Sequence, residues 1–274
     1  MVNDMNKIFV CLYREDQSYI VSDVYQPILA GQSSSSNPDF LVDGVGENIH
    51  DKNEQFGELT SIYWIWKNQI SSLNIVGHCH YRRFFWTNKK QFLIPVSYSK
   101  LKFENSRSNF QVDAAELLGN HDIVLPPITL LKNSVSKQYS EYHSTDDLDR
   151  MRNLLSNSNP ESVVIWDQIM QSNRVYLKLI FIMRKEVFDA YCSWIFPLLL
   201  QFNQRNKETR DSYQRRVEAF LAERMTLLFV LQNNLKVKEV PYVFISCKTK
   251  YVPYFWFSVQ KHYNHFIFWL RNVC

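Results

Sequence analysis

Apolar and polar positions fall in blocks along the first third of the chain, and these blocks predict strands and helices in turn. A short apolar run over Lys7–Tyr13 is bounded by polar residues and predicts a first strand. Over Glu54–Ile70, apolar side chains recur at three- and four-residue steps, which predicts a helix with an apolar face. The run Asn74–Phe85, with a glycine inside, predicts a buried strand. This order of elements is the βαβ pattern of a mostly parallel sheet flanked by helices, so the predicted fold class is α/β.

The rest of the chain carries weaker signals. Lys89–Asn109 is polar and mixed, and Ala30–Asp39 is rich in serine and predicts a loop. Thr145 is the predicted N-cap of a helix that begins at Asp146 and ends near Leu155. The other predicted elements are helices over Asp113–Leu118, Val187–Phe202 and Tyr213–Leu231, and strands over Asp122–Leu125, Tyr176–Met183 and Val237–Ile245.

Composition limits the size of the protein and the kinds of site it can hold. The 274 residues suffice for one large α/β domain or two small ones, and 46% apolar residues can form a core. With six glycines, the chain contains neither the dinucleotide fingerprint nor the P-loop pattern. A net charge of +4 is too small to indicate nucleic acid as a partner, whereas a polyanionic substrate needs only a local basic patch.

The cysteines and the N-terminus predict a cytoplasmic location. The five cysteines form no C-x-x-C pair and their number is odd, which argues against a disulfide framework or a zinc site. Met1–Lys7 is polar and carries no signal peptide, and no run of about 18 apolar residues predicts a membrane-spanning helix.

The most distinctive chemistry lies at the end of the run Asn74–Phe85, where two histidines and two arginines fall within six residues. Ligands of open α/β sheets bind outside the carboxyl ends of the strands, and arginine matches phosphate oxygens two at a time. We therefore expect the cluster to face a diphosphate. Alternation along a continuous strand places His78, His80 and Arg82 on one face, and Cys79, Tyr81 and Arg83 on the other.

Other interpretations of this cluster stay open. The arginines could pair with structural carboxylates, or the cluster could be a solvated strand end. The His-x-His pair could bind a metal, but two ligands without a third nearby are a weak signal.

A candidate general base lies in the predicted helix Tyr213–Leu231. Glu223 has apolar neighbours, and partial burial would raise its pKa into the range that suits a base. The competing interpretation is a salt bridge with Arg224 or Arg216. His143 and Asp147 are substitute candidates for the same role.

Two further stretches carry possible function. In Asp43–Asn53, two glycines permit tight turns or close backbone approach to a ligand, although an ordinary polar loop has the same composition. The tail Tyr251–Cys274 mixes aromatic and basic residues, as interfacial membrane helices do, but it could also pack on the core as a last helix.

Several blocks, in order from about residue 7 to 244, resemble a known bacterial family. The most specific are Tyr63-Trp64-Ile65-Trp66-Lys67-Asn68 and Cys79-His80-Tyr81-Arg82-Arg83-Phe84. The others are Tyr25–Ile28, Gly46–Ile49 with Lys52-Asn53, Glu58–Thr60, Phe181–Met183, Trp194–Phe196 and Arg216 through Ala222–Met225. The chain is similar to a family first known as a domain of unknown function in capsule and exopolysaccharide loci, now associated with galactofuranosyltransferase activity.

This resemblance implies a GT-A-like single domain over residues 1–245, followed by a tail over 246–274. It implies a nucleotide sugar as donor, with UDP-galactofuranose as the candidate, and a hydroxyl of a lipid-linked glycan as acceptor, at the inner face of the membrane. In most GT-A enzymes an Asp-x-Asp motif holds a metal, and the equivalent place here carries His80, Arg82 and Arg83, so we expect inverting, metal-independent transfer without a cofactor. The expected donor and nucleotide pocket consists of Tyr13, Arg14, Asp43, Asn48, Lys52 and Asn53.

Two departures from the family pattern motivate an alternative function. The family often has His-Lys after the first strand, where this chain has Tyr13-Arg14, and this change bears on nucleotide or sugar contacts. The family often has Asn before the strand Phe181–Met183, where this chain has Leu179, and this change removes a polar group expected near the acceptor. The alternative is a non-catalytic member that binds glycan or partner enzymes in polysaccharide assembly.

Overall fold

The computed structural model describes residues 5–87, 93–205, 213–246 and 250–253, and most of its strands join one large sheet. The strands are β1 (Met5–Leu12), β2 (Tyr25–Leu29), β3 (Leu41–Val42), β4 (Leu73–His80), β5 (Arg83–Phe85), β6 (Leu93–Ser99), β7 (Ile123–Leu125), β8 (Thr129–Leu130), β9 (Arg174–Val175), β10 (Phe181–Arg184), β11 (Val237–Glu239), β12 (Tyr242–Ser246) and β13 (Lys250–Pro253). Strands β8 and β9 form a separate antiparallel pair.

Helices of very different lengths connect these strands. They are α1 (Asn53–Phe56), α2 (Leu59–Asn68), α3 (Lys100–Glu104), α4 (Ala114–Leu118), α5 (Val135–Ser140), α6 (Asp146–Ser158), α7 (Pro160–Gln171), α8 (Lys185–Arg205) and α9 (Val217–Gln232). Short 3₁₀ turns precede α1 and α9, and others lie at Ile70–Ser72 and Arg107–Phe110.

The parallel part of the sheet has the strand order β3-β2-β1-β4. Beyond β4, strand β10 pairs antiparallel with both β4 and β7, and β11 pairs parallel with β7. Strand β5 folds back on the end of β4 and continues the sheet through β12, β6 and β13. The chain is thus a mixed α/β fold with a central, mostly parallel sheet, as predicted.

Apolar side chains cover both faces of this sheet. On β1, Phe9 packs into the larger core with α2 and α6–α9, whereas Ile8 and Val10 point to the other face, where α3 and α4 lie. On β4, Val76 lies on the larger-core face, so His78 and His80 point the same way by alternation. The two histidines therefore point towards the layer that contains α2, α8 and α9.

Two predicted continuous elements are interrupted. The predicted helix Glu54–Ile70 is split at Gly57, whose φ of 53° and ψ of −128° are open only to glycine. The predicted strand Asn74–Phe85 is a hairpin, because β4 ends at His80 and β5 starts at Arg83, which pairs back with His80. The alternation prediction for Arg82 and Arg83 is therefore wrong.

Two other predicted strands are shorter than expected. Within Tyr176–Met183 only Phe181–Met183 is strand, and just before it the Leu179 carbonyl accepts a hydrogen bond from the His78 side chain. The predicted strand Val237–Ile245 breaks at Pro241, which has no N–H to donate to a ladder.

Other predictions are confirmed, and some elements gave no signal. Helices α4, α6, α8 and α9 and strand β7 match their predicted positions, although the Thr145 side chain makes no capping hydrogen bond. Strand β2, with Pro27 inside it, was not predicted, and neither were β6, α3 or α7.

Part of the C-terminal tail belongs to the sheet. Strand β13 pairs antiparallel with β6 and carries the chain as far as Pro253. The predictions for the aromatic tail from Tyr254 onward lie outside the described residues. Across the ranges that the structure covers, no helix is both long and apolar enough to cross a membrane.

Candidate functional site

The four parallel strands end along one edge, which gathers most of the predicted site residues. Tyr13 follows β1, Gly31 follows β2, Asp43 follows β3 and Tyr81 follows β4. Backbone hydrogen bonds continue the ladder past the strand ends, from Tyr81 N to the Cys11 carbonyl and from Asp43 N to the Leu29 carbonyl. The carboxyl ends of parallel strands are where open α/β sheets bind ligands.

Asp43 anchors the loops on the donor side of this edge. It is fully buried, and its Oδ1 accepts hydrogen bonds from the Gly31 and Gln32 amides at 2.7 and 3.2 Å. Its Oδ2 is buried without a hydrogen-bond partner. Burial raises the pKa of Asp43, while the Thr60 side chain and the two amides oppose the shift. Asp43 is therefore a buried anchor for the loops at this edge.

Asn53 packs against the same loop. Its side-chain amide donates to the Gly57 carbonyl and the Thr60 hydroxyl, both at 2.9 Å. A Cβ at Gly31, where φ is 71°, would come within 2.7 Å of the Asn53 side chain. Asn53 and Gly31 thus fit closely, and the glycine is required by both space and backbone conformation.

The remaining predicted donor residues are more exposed. Asn48 bonds to Gly46 and to His50, at 2.7 Å in each case, which fixes the glycine-containing loop. Lys52 pairs with Asp51 at 3.3 Å, and Arg14 pairs with Asp16 at 3.0 Å. The structure therefore brings Asp43 and Asn53 together, whereas Arg14 and Lys52 each have an acidic partner.

The β4–β5 hairpin decides where the arginines point. Because His80 and Arg83 are directly paired across the hairpin, their side chains lie on the same face of the sheet. Arg82 lies in the turn, is exposed, and contacts the ring of Tyr81 with 4.9 Å between its guanidinium carbon and the ring centre. The face shared with His80 thus belongs to Arg83, which corrects the predicted arrangement.

The buried histidines of β4 are neutral. Burial lowers the pKa of His80 well below its usual range, and the nearby Arg83 and Arg82 lower it further. His80 Nδ1 accepts from the Arg82 backbone amide at 3.3 Å, which leaves the imidazole proton on Nε2. Burial also lowers the pKa of His78, whose Nδ1 donates to the Leu179 carbonyl at 2.7 Å. The positive charge of the cluster therefore resides on the arginines.

Neither arginine of the hairpin is used to hold the fold together through an ion pair. Within the described part of the chain, no carboxylate lies within 4 Å of Arg82 or Arg83. The Arg83 Nε is buried and has no hydrogen-bond partner. A buried, unpaired donor on a charged group costs free energy unless a ligand satisfies it.

Glu223 reaches this face from α9. About a fifth of its side chain is exposed, at 20%, and its Oε2 accepts from Arg224 Nη1 at 3.0 Å. Burial raises the pKa of Glu223 to about 7, against the opposing charges of Arg224, Lys178 and Arg83. Both interpretations from the sequence hold in part, since Glu223 forms a salt bridge and also has a pKa suited to a base.

The sequence interpretation missed two charged residues of this site. Lys178 interrupts an apolar run, and its pKa is lowered by burial, with Glu223 and Arg83 acting on its charge. Glu58 starts α2 directly after Gly57, and its Oε2 is buried without a hydrogen-bond partner. The signal for Lys178 was a charge inside an apolar run. Glu58 belonged to the predicted helix Glu54–Ile70 and to the block Glu58–Thr60, neither of which indicated that its carboxylate is buried.

The substitute base candidates lie around α5 and α6. Asp147 is fully buried, bonds to Arg150 at 2.7 Å and accepts from the Tyr139 hydroxyl at 3.4 Å. His143 stacks on Phe220 with ring centres 4.1 Å apart. Phe220 lies on α9, one turn before Glu223. Asp147 therefore has a structural ion pair, and His143 supports the start of α9.

Two other features of the structure bear on where a ligand could bind. The described residues hold no group of three or more His, Cys, Asp or Glu side chains placed to bind a metal. A surface cavity of about 460 Å³ is lined by Tyr98, Ser99, Leu101, Lys102, Asn105, Ser106 and Asn109. Its lining contains none of the predicted site residues, so we place the candidate site at the strand edge instead.

Comparison with known proteins assigns the chain to a family. Residues 7–234 match the sequence profile described as Domain of unknown function (DUF4422). No curated protein sequence matches the chain. The fold is similar to the apo structure of the bifunctional glycosyltransferase WbbM, with a TM-score of 0.73 and 23% identity over 89% of this chain. The chain spans 46% of the length of that relative, and the likeness concerns the fold.

Proposed function

The chain belongs to the DUF4422 family, and on that premise we propose that it is a glycosyltransferase that uses a nucleotide sugar. The observation that carries the proposal is the combination, at the strand edge, of two arginines without carboxylate partners among the described residues and a carboxylate of pKa about 7, with Arg83 and this carboxylate on one face. Charge develops on a leaving diphosphate during sugar transfer, and an acceptor hydroxyl must lose a proton. The fold similarity to a glycosyltransferase supports the same reaction class.

In this proposal Arg82, Arg83 and His80 hold the diphosphate. Each charge-assisted hydrogen bond contributes roughly 1.5–3 kcal/mol, and the partly buried position of Arg83 strengthens it. The neutral His80 donates from Nε2, since its Nδ1 is occupied by the Arg82 amide. Fixed guanidinium groups neutralise the developing charge, so we propose that transfer does not require a divalent cation.

Glu223 is the proposed general base. Its carboxylate takes the proton of an acceptor hydroxyl while that oxygen forms a bond to the anomeric carbon. The bond from this carbon to the diphosphate oxygen breaks, and the electron pair leaves with the nucleoside diphosphate. This single displacement inverts the anomeric configuration. Lys178 lies close enough to act on the charge of Glu223 and helps to keep it ionised near neutral pH.

The donor and acceptor follow from the family resemblance rather than from the geometry. We propose UDP-galactofuranose as donor and a lipid-linked glycan of a surface polysaccharide as acceptor. The loops around Asp43, Asn48 and Asn53 line the nucleotide side, next to Tyr13. A cytoplasmic protein at the inner face of the membrane would meet both substrates.

The test is UDP release from a set of UDP-sugars in the presence of a glycan acceptor and EDTA. The proposal predicts acceptor-dependent release that EDTA leaves intact and that the Glu223→Gln variant nearly abolishes. Release that stops in EDTA and returns with Mn²⁺ or Mg²⁺ would refute metal independence. No release with any donor, together with retained glycan binding, would favour the non-catalytic alternative.

A further inference from the structure

Arg216 is a third arginine at the site, and it approaches from a different element. It lies in the 3₁₀ turn Gln214–Arg216 that leads directly into α9, seven residues before Glu223. Seven residues correspond to two helical turns, so the two positions fall on the same side of the helix start. The arginine is exposed and its nearest polar contact is the Tyr13 hydroxyl, to which Nη2 donates at 3.4 Å.

Gly57 makes room for this guanidinium. A Cβ at Gly57 would come within 3.0 Å of Arg216 Nη2 and 3.6 Å of its Nε, and within 3.5 Å of the Tyr13 hydroxyl. The backbone at Gly57 also has a φ of 53°, which L side chains rarely adopt. The split between α1 and α2 thus creates the space that Arg216 and Tyr13 share.

The charge of Arg216 faces the candidate site without a partner of its own. No carboxylate of the described residues lies within 4 Å of it, whereas its neighbour Arg215 pairs with Glu54 at 2.9 Å. Burial raises the pKa of Tyr13 and lowers that of His80, and the charge of Arg216 acts on both groups. Because the rings of Tyr13 and His80 lie 5.9 Å apart, the contact with Tyr13 brings Arg216 close to the hairpin. An unpaired arginine held by a tyrosine and a glycine is a suitable donor for phosphate oxygens.

We propose that Arg216 is a third diphosphate-binding arginine, which Gly57 admits and Tyr13 orients, and which joins the phosphate site to the helix of the proposed base. The inference rests on the proposed function, since it assigns a further residue to the same diphosphate. It gives the site arginines from two separate elements, the β4–β5 hairpin and the entrance of α9. Binding of the diphosphate would then hold the start of α9 against the sheet edge.

The test is calorimetric titration of inorganic diphosphate and of UDP into the full chain and its variants, with EDTA present. Arg216→Ala should weaken both ligands by about tenfold to a hundredfold, the loss expected for one charge-assisted contact. Arg216→Lys should recover part of the affinity, because it keeps the charge and loses the planar fork. Arg215→Ala, a matched change in the same turn, should leave both affinities unchanged.

A second variant tests the glycine. Gly57→Ala should weaken binding of inorganic diphosphate in a chain that still shows a cooperative unfolding transition, because the added Cβ displaces the guanidinium. Equal affinities of the Arg216→Ala and Arg215→Ala variants, with Arg82→Ala and Arg83→Ala still weakened, would overturn the role of Arg216 alone. Absence of binding of either ligand to the unsubstituted protein would overturn the proposed function as well.

Discussion

The arginines of the helical layer differ from those of the strand edge in how their charge is satisfied. On α6, Arg152 makes two parallel hydrogen bonds to Asp167 of α7, at 2.8 and 2.7 Å, and Arg150 bonds to the buried Asp147 at 2.7 Å. At the edge, Arg82 and Arg83 have no carboxylate within ion-pair distance among the described residues, and the Arg83 Nε is buried and unpaired. The helix arginines Arg150 and Arg152 thus have carboxylate partners, whereas the two edge arginines have none among the described residues.

The difference teaches where to look for a ligand. A buried Nε without a hydrogen-bond partner also occurs in Arg224 of α9, so what sets the edge apart is the lack of a carboxylate partner, which leaves a guanidinium free to bind an anionic ligand. The acidic groups of the edge follow the same pattern. Glu58 and Asp43 each have a buried oxygen without a hydrogen-bond partner, whereas both oxygens of Asp167 accept from Arg152. Substitutions at the edge should therefore reduce ligand binding and transfer, whereas substitutions in the helical layer should reduce stability.

The largest effect is expected from the base. Glu223→Gln keeps an acceptor for Arg224 but cannot take a proton, so kcat should fall by about 10²–10⁴. The measurement is UDP release at saturating donor, with thermal unfolding as the control for folding. A folded variant with an unchanged rate would remove Glu223 from the mechanism.

Removal of an edge arginine should reduce the rate of transfer less than removal of the base does. Arg83→Ala should lower kcat/KM by about 10–100-fold, because one charge-assisted contact to the leaving diphosphate is lost. Arg152→Ala is the matched change in the helical layer. We expect it to leave kcat/KM unchanged, and similar losses in both variants would erase the proposed contrast.

The pH dependence should follow Glu223. Its pKa of about 7 predicts that kcat/KM rises about tenfold per pH unit below pH 7 and levels off above it.

The stability of the protein should also depend on the protonation of Glu223. Because the folded-state pKa is raised above the usual 4.5, the folded form holds the proton more tightly than the unfolded chain. The contribution of Glu223 to the free energy of unfolding is fully present below pH 4.5, and it is lost, by about 3 kcal/mol, as the pH rises through 7. Glu223→Gln should flatten both profiles, and a persistent rate inflection near pH 7 would assign it to another group.

Substitution of the structural carboxylate Asp147 should lower stability and leave the rate of transfer nearly unchanged. Asp147→Asn removes the charge partner of Arg150 inside the helical layer and should lower the free energy of unfolding by about 1–3 kcal/mol. Denaturant unfolding measures this loss, with UDP release followed in parallel. We expect kcat within a few-fold of the unsubstituted protein, and a loss of turnover at unchanged stability would return Asp147 to the catalytic candidates.

The smallest effect is expected from the exposed pair on α6 and α7. Arg152→Ala should lower the free energy of unfolding by about 0.5–1 kcal/mol, since both partners are more than a third exposed. Urea unfolding at low and high salt measures it. A loss of several kcal/mol would mean that this pair, too, is more than a surface contact.

Local pattern was sufficient for much of the fold. Continuous apolar runs located β1, β4 and α9, because these elements are buried on more than one side, and an amphipathic period located α8. It failed where a single residue ends an element, as Gly57 does for the helix after Asn53 and Pro241 does between β11 and β12. It also failed for β2, since a proline inside a strand resembles a loop.

The site was predictable in composition but not in arrangement. The density of His and Arg in 78–83 identified the edge, yet only the turn at Tyr81–Arg82 decides which arginine lies beside His80. Glu58 and Arg216 lie outside that cluster in the sequence. Tertiary packing brings both of them near Tyr13, and it brings Glu58 near Glu223 as well. The sequence indicated a buried strand around His80, but not that burial and the nearby Arg83 and Arg82 lower the pKa of its side chain.

The most direct test of the central claim compares UDP with uridine in the presence of EDTA. If the edge arginines bind the diphosphate, UDP should bind at least about 100-fold more tightly than uridine, and Arg83→Ala should reduce this ratio by about tenfold or more. Equal affinities of UDP and uridine for the unsubstituted protein, or a ratio that Arg83→Ala leaves unchanged, would contradict the assignment of this edge as a diphosphate site.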